Sequence, residues 1–210
     1  MRLRNVKNAR DILEKSPYFI SKPTKYKGNY KELFGNDFPI HVEIGTGKGQ
    51  FLILMAKTYP NINFIGVEMK ESILVRAIQK VSDKNISNLK FIVWDAFVLD
   101  KVFDYEISTI YLNFSDPWPK KKHHKRRLTS PLFLDVYDKL FLTTPTIIQK
   151  TDNTPLFISS IINLCNHDYK IEEYSLDLEK EEKIFNIATE YEEKFMKNGV
   201  KINYLKAIKK

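Results

Sequence analysis

The feature that most constrains this chain is a strand that runs straight into a glycine-rich turn and then a helix. It reads His41-Val42-Glu43-Ile44-Gly45-Thr46-Gly47-Lys48-Gly49, and helical spacing follows from Gln50 to Thr58. Glycines tolerate left-handed backbone and let a ligand come close to the main chain. Such a unit belongs in a parallel sheet covered by helices, and the rest of the chain keeps the same rhythm. Strands are predicted at Ile40 to Ile44, Phe64 to Glu68, Leu89 to Val93, Ile107 to Phe114 and Ile147 to Lys150. Helices are predicted between them at Gln50 to Thr58, Glu71 to Ser82 and Leu132 to Leu140. The tail adds strands at Tyr169 to Leu176 and Val200 to Ile208, with helices around Leu156 to Asn166 and Glu182 to Met196. The sum is a Rossmann-like α/β fold of about seven strands, mostly parallel, with helices on both faces. With 210 residues, 43% of them hydrophobic, one domain over residues 36–210 is the expectation. Residues 1–35 show no clear period and read as a basic, partly extended arm.

Three acids at successive strand ends give the sheet edge a chemical character. Glu43 precedes the glycine turn, Glu68 closes the second strand 19 residues after Gly49, and Asp95, followed by Ala96, follows the third. A carboxylate at Glu43 would repel a pyrophosphate but suits S-adenosylmethionine, which carries an ammonium and a sulfonium and no phosphate. Glu68 is placed to accept ribose hydroxyls, and Asp95 the adenine amino proton. Each acid alone has a structural alternative; Asp95 before Ala96 and Phe97 could be a helix N-cap. Together they favour the cofactor site of a class I methyltransferase.

Charge points to a polyanionic partner. Lys and Arg number 34 against 26 Asp and Glu, and residues 120–127 are all Lys, Arg or His. Each phosphate neutralised by such a run releases counterions, although a solvated surface would also explain the composition. No stretch of 18 apolar residues occurs and the basic start lacks an apolar signal core, so neither a membrane span nor secretion is expected. A cytoplasmic location follows as an expectation. The single cysteine, Cys165, sits among Ile161, Ile162 and Leu164 and reads as a buried small hydrophobe.

The most specific segment follows the fourth strand: Asn113-Phe114-Ser115-Asp116-Pro117-Trp118-Pro119-Lys120, running directly into Lys121-Lys122-His123-His124-Lys125-Arg126-Arg127. It resembles the Asn/Asp-Pro-Pro-aromatic element of amino-methyltransferases. Its continuation into a basic run is similar to the signature of the bacterial tRNA (guanine-N7)-methyltransferase family. Thr151-Asp152-Asn153 and Thr189-Glu190-Tyr191-Glu192 extend the resemblance over nearly the whole chain. The resemblance implies methyl transfer from S-adenosylmethionine to N7 of guanosine 46 in the tRNA variable loop. It also implies roles: Asp116 is the catalytic residue, and Glu43, Gly45, Gly47, Glu68, Asp95, Ala96, Asn113 and Asp116 hold the cofactor. Lys120, Asp152, Thr189, Glu190, Tyr191 and Glu192 face the substrate. Lys122, His123, His124, Lys125, Arg126 and Arg127 contact RNA, and no metal is required.

Guanine N1–H and the N2 amino group are donors, so a carboxylate at Asp152 or Glu190 could accept both, which adenine does not match. Guanine N7 has a lone pair and no proton, so proximity and electrostatics, not proton removal, are expected to carry catalysis. Three other readings stay open on the sequence alone. They are a methyltransferase acting on an exocyclic amine, a noncatalytic RNA-binding protein and, disfavoured by Glu43, a nicotinamide dehydrogenase. Oligomeric state is not legible.

Overall fold

The computed structural model describes residues 6–81, 84–182, 184, 186–189, 191–192, 195 and 198–210. Its elements are α1 (Ala9–Glu14), α2 (Tyr30–Phe34), β1 (Ile40–Ile44), α3 (Gln50–Thr58), β2 (Asn63–Glu68), α4 (Glu71–Val81) and β3 (Leu89–Val93). After them come β4 (Ile107–Asn113), α5 (Pro131–Tyr137), β5 (Phe141–Thr151), α6 (Thr154–Asn166), β6 (Tyr169–Ser175) and β7 (Asn203–Lys209). One seven-stranded sheet has the order β3-β2-β1-β4-β5-β7-β6. The first five strands pair in parallel, while β7 lies antiparallel between β5 and β6. The expected strand count and mostly parallel sheet are therefore observed.

Alternation along each strand sends side chains to two cores. Val42, Ile65, Val67, Ile110 and Leu112 face one cluster, with Leu134, Tyr137 and Phe157 from α5 and α6. Phe64, Phe91 and Tyr111 face the other, with Leu52 of α3 and Leu74 and Ile78 of α4. Period-two burial on both faces explains why these strands read as nearly continuous apolar runs.

Four expectations need correction. Within the segment expected to be a partly extended arm, residues 9–34 carry α1 and α2 and pack on the sheet. Leu13 and Tyr30 are fully buried, and Ile20 N–H donates to the Phe91 carbonyl at 2.9 Å while Phe91 N–H donates to that of Tyr18 at 2.7 Å. The segment thus covers the free edge of β3, which would otherwise present unpaired backbone groups. Cys165 is exposed, because α6 buries Leu156, Phe157, Ser160 and Leu164 and turns the neighbouring position outward. The fourth strand stops at Asn113, since Phe114 has φ +50°, and β7 starts at Asn203, beyond a left-handed turn at Gly199. The helix expected over 182–196 is absent from residues 186–189; the described helical residues begin at Tyr191.

Candidate active site

Strand order reverses direction between β1 and β4, and ligands of open α/β sheets lie in the crevice that this creates at the strands' carboxyl ends. A cleft of about 460 Å³ opens there, lined by Glu43, Gly45, Thr46, Gly47, Glu68, Asp95, Ala96, Asn113, Asp116 and Trp118, and also by Arg126, Thr189 and Tyr191. It falls in the roughly 300–1,000 Å³ range of small-molecule sites.

The cofactor half comes from local turns. Gly45, Gly47 and Gly49 all have positive φ. At Gly49 a Cβ would lie 2.7 Å from that of Ala77, so this position allows no side chain where the turn enters α3. Glu68 accepts from the N–H of Gly47 at 3.2 Å and from that of Lys70 at 3.0 Å, which fixes the turn beside the end of β2. Glu43 is buried; its carboxylate accepts from the Thr46 hydroxyl at 2.6 Å and from the Asn113 amide at 2.8 Å. Burial pushes the Glu43 carboxyl up to about 7, against the opposing effects of Thr46, Asn113 and Lys150. Asp95 does cap the 3₁₀ helix Ala96–Lys101 by accepting from Phe97 N–H, yet it is exposed on the cleft.

These groups fit S-adenosylmethionine. Asn113 Oδ1 is buried without a hydrogen-bond partner on the cleft, beside Glu43, and suits a donor such as the cofactor's ammonium. The acids at the ends of β1, β2 and β3 offer acceptors along one edge and present nothing that would bind a pyrophosphate.

The target half is assembled differently. Asp116 is exposed in a loop between two non-glycine residues in left-handed backbone, Phe114 and Trp118. Arg126 lies over the Trp118 ring at 4.9 Å, and His123 meets that ring edge-on at 5.7 Å. The basic run forms the 3₁₀ helix Lys121–Arg126, with Lys120, Lys122, His124 and Lys125 exposed. Arg127, expected on RNA, is instead 4% exposed: its Nε donates to the Pro117 carbonyl at 2.8 Å. Glu192, expected on the substrate, is 1% exposed and pairs with Lys150 at 3.0 Å. Thr189 and Glu192 form a reciprocal cap, Thr189 N–H to Glu192 at 3.2 Å and Glu192 N–H to the Thr189 hydroxyl at 3.0 Å. This cap lies at the start of the described helical residues, Tyr191 and Glu192, and explains why residues 186–189 lie outside them. Asp152 is exposed at the end of β5 but outside the cleft lining, and Glu190 is not among the described residues.

Lys150 escaped the sequence reading. Its ammonium is buried, donates to the Ile187 carbonyl at 2.9 Å and to Asn186, and sits 5.3 Å from the Phe51 ring. Burial lowers its pKa, opposed first by Glu192 and then by Glu43. Two signals were present: a lysine ending a buried strand, and the Thr-x-x-Glu spacing of a capping box. Among the described residues no cluster of His, Cys, Asp or Glu could hold a metal, and no helix is long and apolar enough to cross a membrane.

The sheet order and the cofactor half of the cleft define a class I, Rossmann-like S-adenosylmethionine-dependent methyltransferase. Solved structures with the same fold include the 16S rRNA methyltransferase KamB, at TM-score 0.64 and 10% identity over 86% of this chain and 92% of that one. Another is a mutant 16S rRNA (adenine(1408)-N(1))-methyltransferase from Catenulisporales acidiphilia with cosubstrate SAM, at TM-score 0.59 and 11% identity over 87% and 90%. Residues 37–205 match a family described as putative methyltransferase. A tRNA (guanine-N(7)-)-methyltransferase of Listeria monocytogenes serotype 4b is 47% identical over 99% of this chain and 98% of its own length. That of Brevibacillus brevis is 45% identical with the same coverage. The chain belongs to the tRNA (guanine-N(7)-)-methyltransferase family.

Proposed function

We propose that this protein transfers a methyl group from S-adenosylmethionine to N7 of guanosine 46 in the variable loop of tRNA. One observation carries the reading: the Asp116 loop stands in the same cleft as Glu43, Gly47, Glu68 and Asp95, and runs directly into an exposed cationic turn. The names of the relatives support the choice of atom and of RNA.

When bound, S-adenosylmethionine supplies an electrophilic methyl on a sulfonium. The chain's own groups then have separate tasks. Glu43, Asn113, Glu68 and Asp95 hold the cofactor, with Gly45, Gly47 and Ala96 leaving it room. Asp116 orients the guanine against it. Since N7 has no proton to lose, the site needs no general base, and its contribution is placement in a partly desolvated cleft. Lys120, Lys122, His124 and Lys125 meet phosphates, while Thr189 and Tyr191 line the approach to the base. Asp152 and Glu190 are the carboxylates that would read guanine's donor edge once the base has swung out of its tertiary pairing. The setting for this chemistry is the cytoplasm.

Unmodified tRNA transcript incubated with the protein and methyl-labelled S-adenosylmethionine, followed by nucleoside analysis, tests the proposal. Label in 7-methylguanosine is expected. Label on an exocyclic amine would move the assignment to an amino-methyltransferase, and cofactor heat in calorimetry without label would mean another substrate.

A further inference from the structure

We infer that Arg127 is a positioning residue for the Asp116 loop and not a phosphate contact. The two consecutive arginines point in opposite directions. Arg126 is exposed over the Trp118 ring at 4.9 Å, whereas Arg127 runs beneath the loop and is 4% exposed. Its Nε donates to the Pro117 carbonyl at 2.8 Å and its Nη2 reaches the Trp118 carbonyl at 3.4 Å. The guanidinium thereby bridges two successive carbonyls immediately after Asp116.

The loop has need of such a tie. Pro117 and Pro119 have no N–H to donate, and Phe114 and Trp118 are held at φ +50° and +42°, where side chains other than glycine are strained. Phe114 is tied to β5 by its N–H on the Lys150 carbonyl at 2.9 Å. At the other end Arg127 holds the turn. Arg127 is itself anchored: its N–H donates to the His124 carbonyl at 3.0 Å, and its carbonyl accepts from Ser130 N–H at 2.9 Å. The fully buried Thr129 joins this corner to Ser160 of α6 through a 2.8 Å hydroxyl contact. The clamp therefore transmits the rigidity of the α6 layer to the backbone that presents Asp116 and the Trp118 ring. A planar, forked guanidinium serves two carbonyls from one position, which an ammonium does less well.

The inference rests on the reading of Asp116 as the group that orients guanine, and the test separates the two. Arg127→Ala and Arg127→Lys are compared with wild type for kcat, for KM on tRNA, and for the salt dependence of tRNA binding. The chain has two tryptophans, Trp94 and Trp118. In a Trp94→Phe background, emission and acrylamide quenching thus report Trp118 alone and need no activity. A misplaced loop costs about 10²-fold in kcat. Arg127→Ala is expected to show that loss with KM for tRNA and the salt slope unchanged, together with red-shifted, more quenchable Trp118 emission; Arg127→Lys is expected to fall between.

A raised KM and a salt slope shallower by about 0.7–0.9, the loss of one phosphate contact, with kcat intact, would overturn the inference. So would unchanged Trp118 emission in a folded variant. If Arg127→Ala does not fold, Arg127→Lys carries the comparison, since it keeps length and charge. Wild-type protein that makes no 7-methylguanosine would defeat the functional reading while the emission of Trp118 still decides the clamp.

Discussion

In the half of the cleft below β1, β2 and β3, each polar group is delivered by the strand that carries it, whereas the half around Asp116 and residues 186–192 is assembled from side chains distant in sequence. Glu43 lies near the end of β1, Glu68 ends β2 and Asp95 follows β3, and the glycine turn supplies the remaining shape. Across the cleft, Arg127 reaches back to Pro117 and Trp118, and Lys150 of β5 gathers Asn186, Ile187 and Glu192. The first design tolerates change in its neighbours as long as the sheet persists. The second concentrates its order in a few buried charges, each of which holds several partners.

The sharpest way to break this division is Lys150→Met. It leaves Glu192 and Asn186 without their common partner, and removing one member of a buried ion pair costs about 3–5 kcal/mol. Single-turnover kinetics should show methyl transfer to tRNA falling by about 10²-fold, from misplacement of the 186–192 segment. Calorimetry should show a much smaller loss of cofactor affinity, through the removal of Lys150's part in keeping Glu43 ionised. A comparable loss of both would mean that the halves are one unit.

Gly49→Ala tests the other side. The added Cβ meets Ala77 at 2.7 Å in backbone with φ +72°, a strain of about 1–3 kcal/mol. Cofactor affinity should fall by about tenfold, one decade for each 1.4 kcal/mol, while tRNA affinity measured by filter binding stays at the wild-type value.

Glu43 gives a subtler readout because its carboxyl is raised to about 7 by burial. A cationic ligand favours the ionised form, so cofactor affinity should strengthen by about three- to tenfold as pH rises from roughly 6 to 8. Glu43→Gln should remove that rise and leave only the cofactor's own titration. The sign for stability is opposite. The native state retains this proton longer than the unfolded chain, so Glu43 makes the fold less stable as pH rises from its ordinary value of 4.5 through about 7. Denaturant titrations of wild type and Glu43→Gln at both ends of that window check it.

The smallest effect lies outside the cleft. Tyr18 accepts from Ile86 N–H at 3.0 Å through its hydroxyl. Tyr18→Phe should cost about 1 kcal/mol, or roughly 2–4 °C in Tm, without touching either affinity.

The same contrast decides what could be read in advance. Strand periodicity placed β1 to β4 well and with them the three acids, because a period-two pattern also says where a strand ends and its loop begins. Nothing in residues 120–127 distinguishes Arg127 from its neighbours: eight basic or imidazole side chains look alike until the chain turns one of them inward. Residues 9–34 read as an arm because their anchoring groups are spaced by separate tertiary contacts, Leu13 in the core beside α4, Tyr18 on the β3 edge and Tyr30 against Phe103, and follow no internal period. Glu192 was expected to face the substrate, because its true partner, Lys150, lies far away in sequence on β5. Cys165 follows the apolar Ile161, Ile162 and Leu164, but a helix turns by 100° per residue, and adjacency to Leu164 does not share its burial.

The placement of β7 between β5 and β6 has a consequence for how the molecule is made. As the polypeptide emerges in order, β5 is complete long before the strand that will cover its outer edge. That edge stays bare while α6, β6 and the 186–192 segment are synthesised. An uncovered parallel-sheet edge is a template for unwanted pairing. The nascent protein therefore spends its most vulnerable interval with the cofactor half folded and the sheet still open, and β7 closes the sheet last.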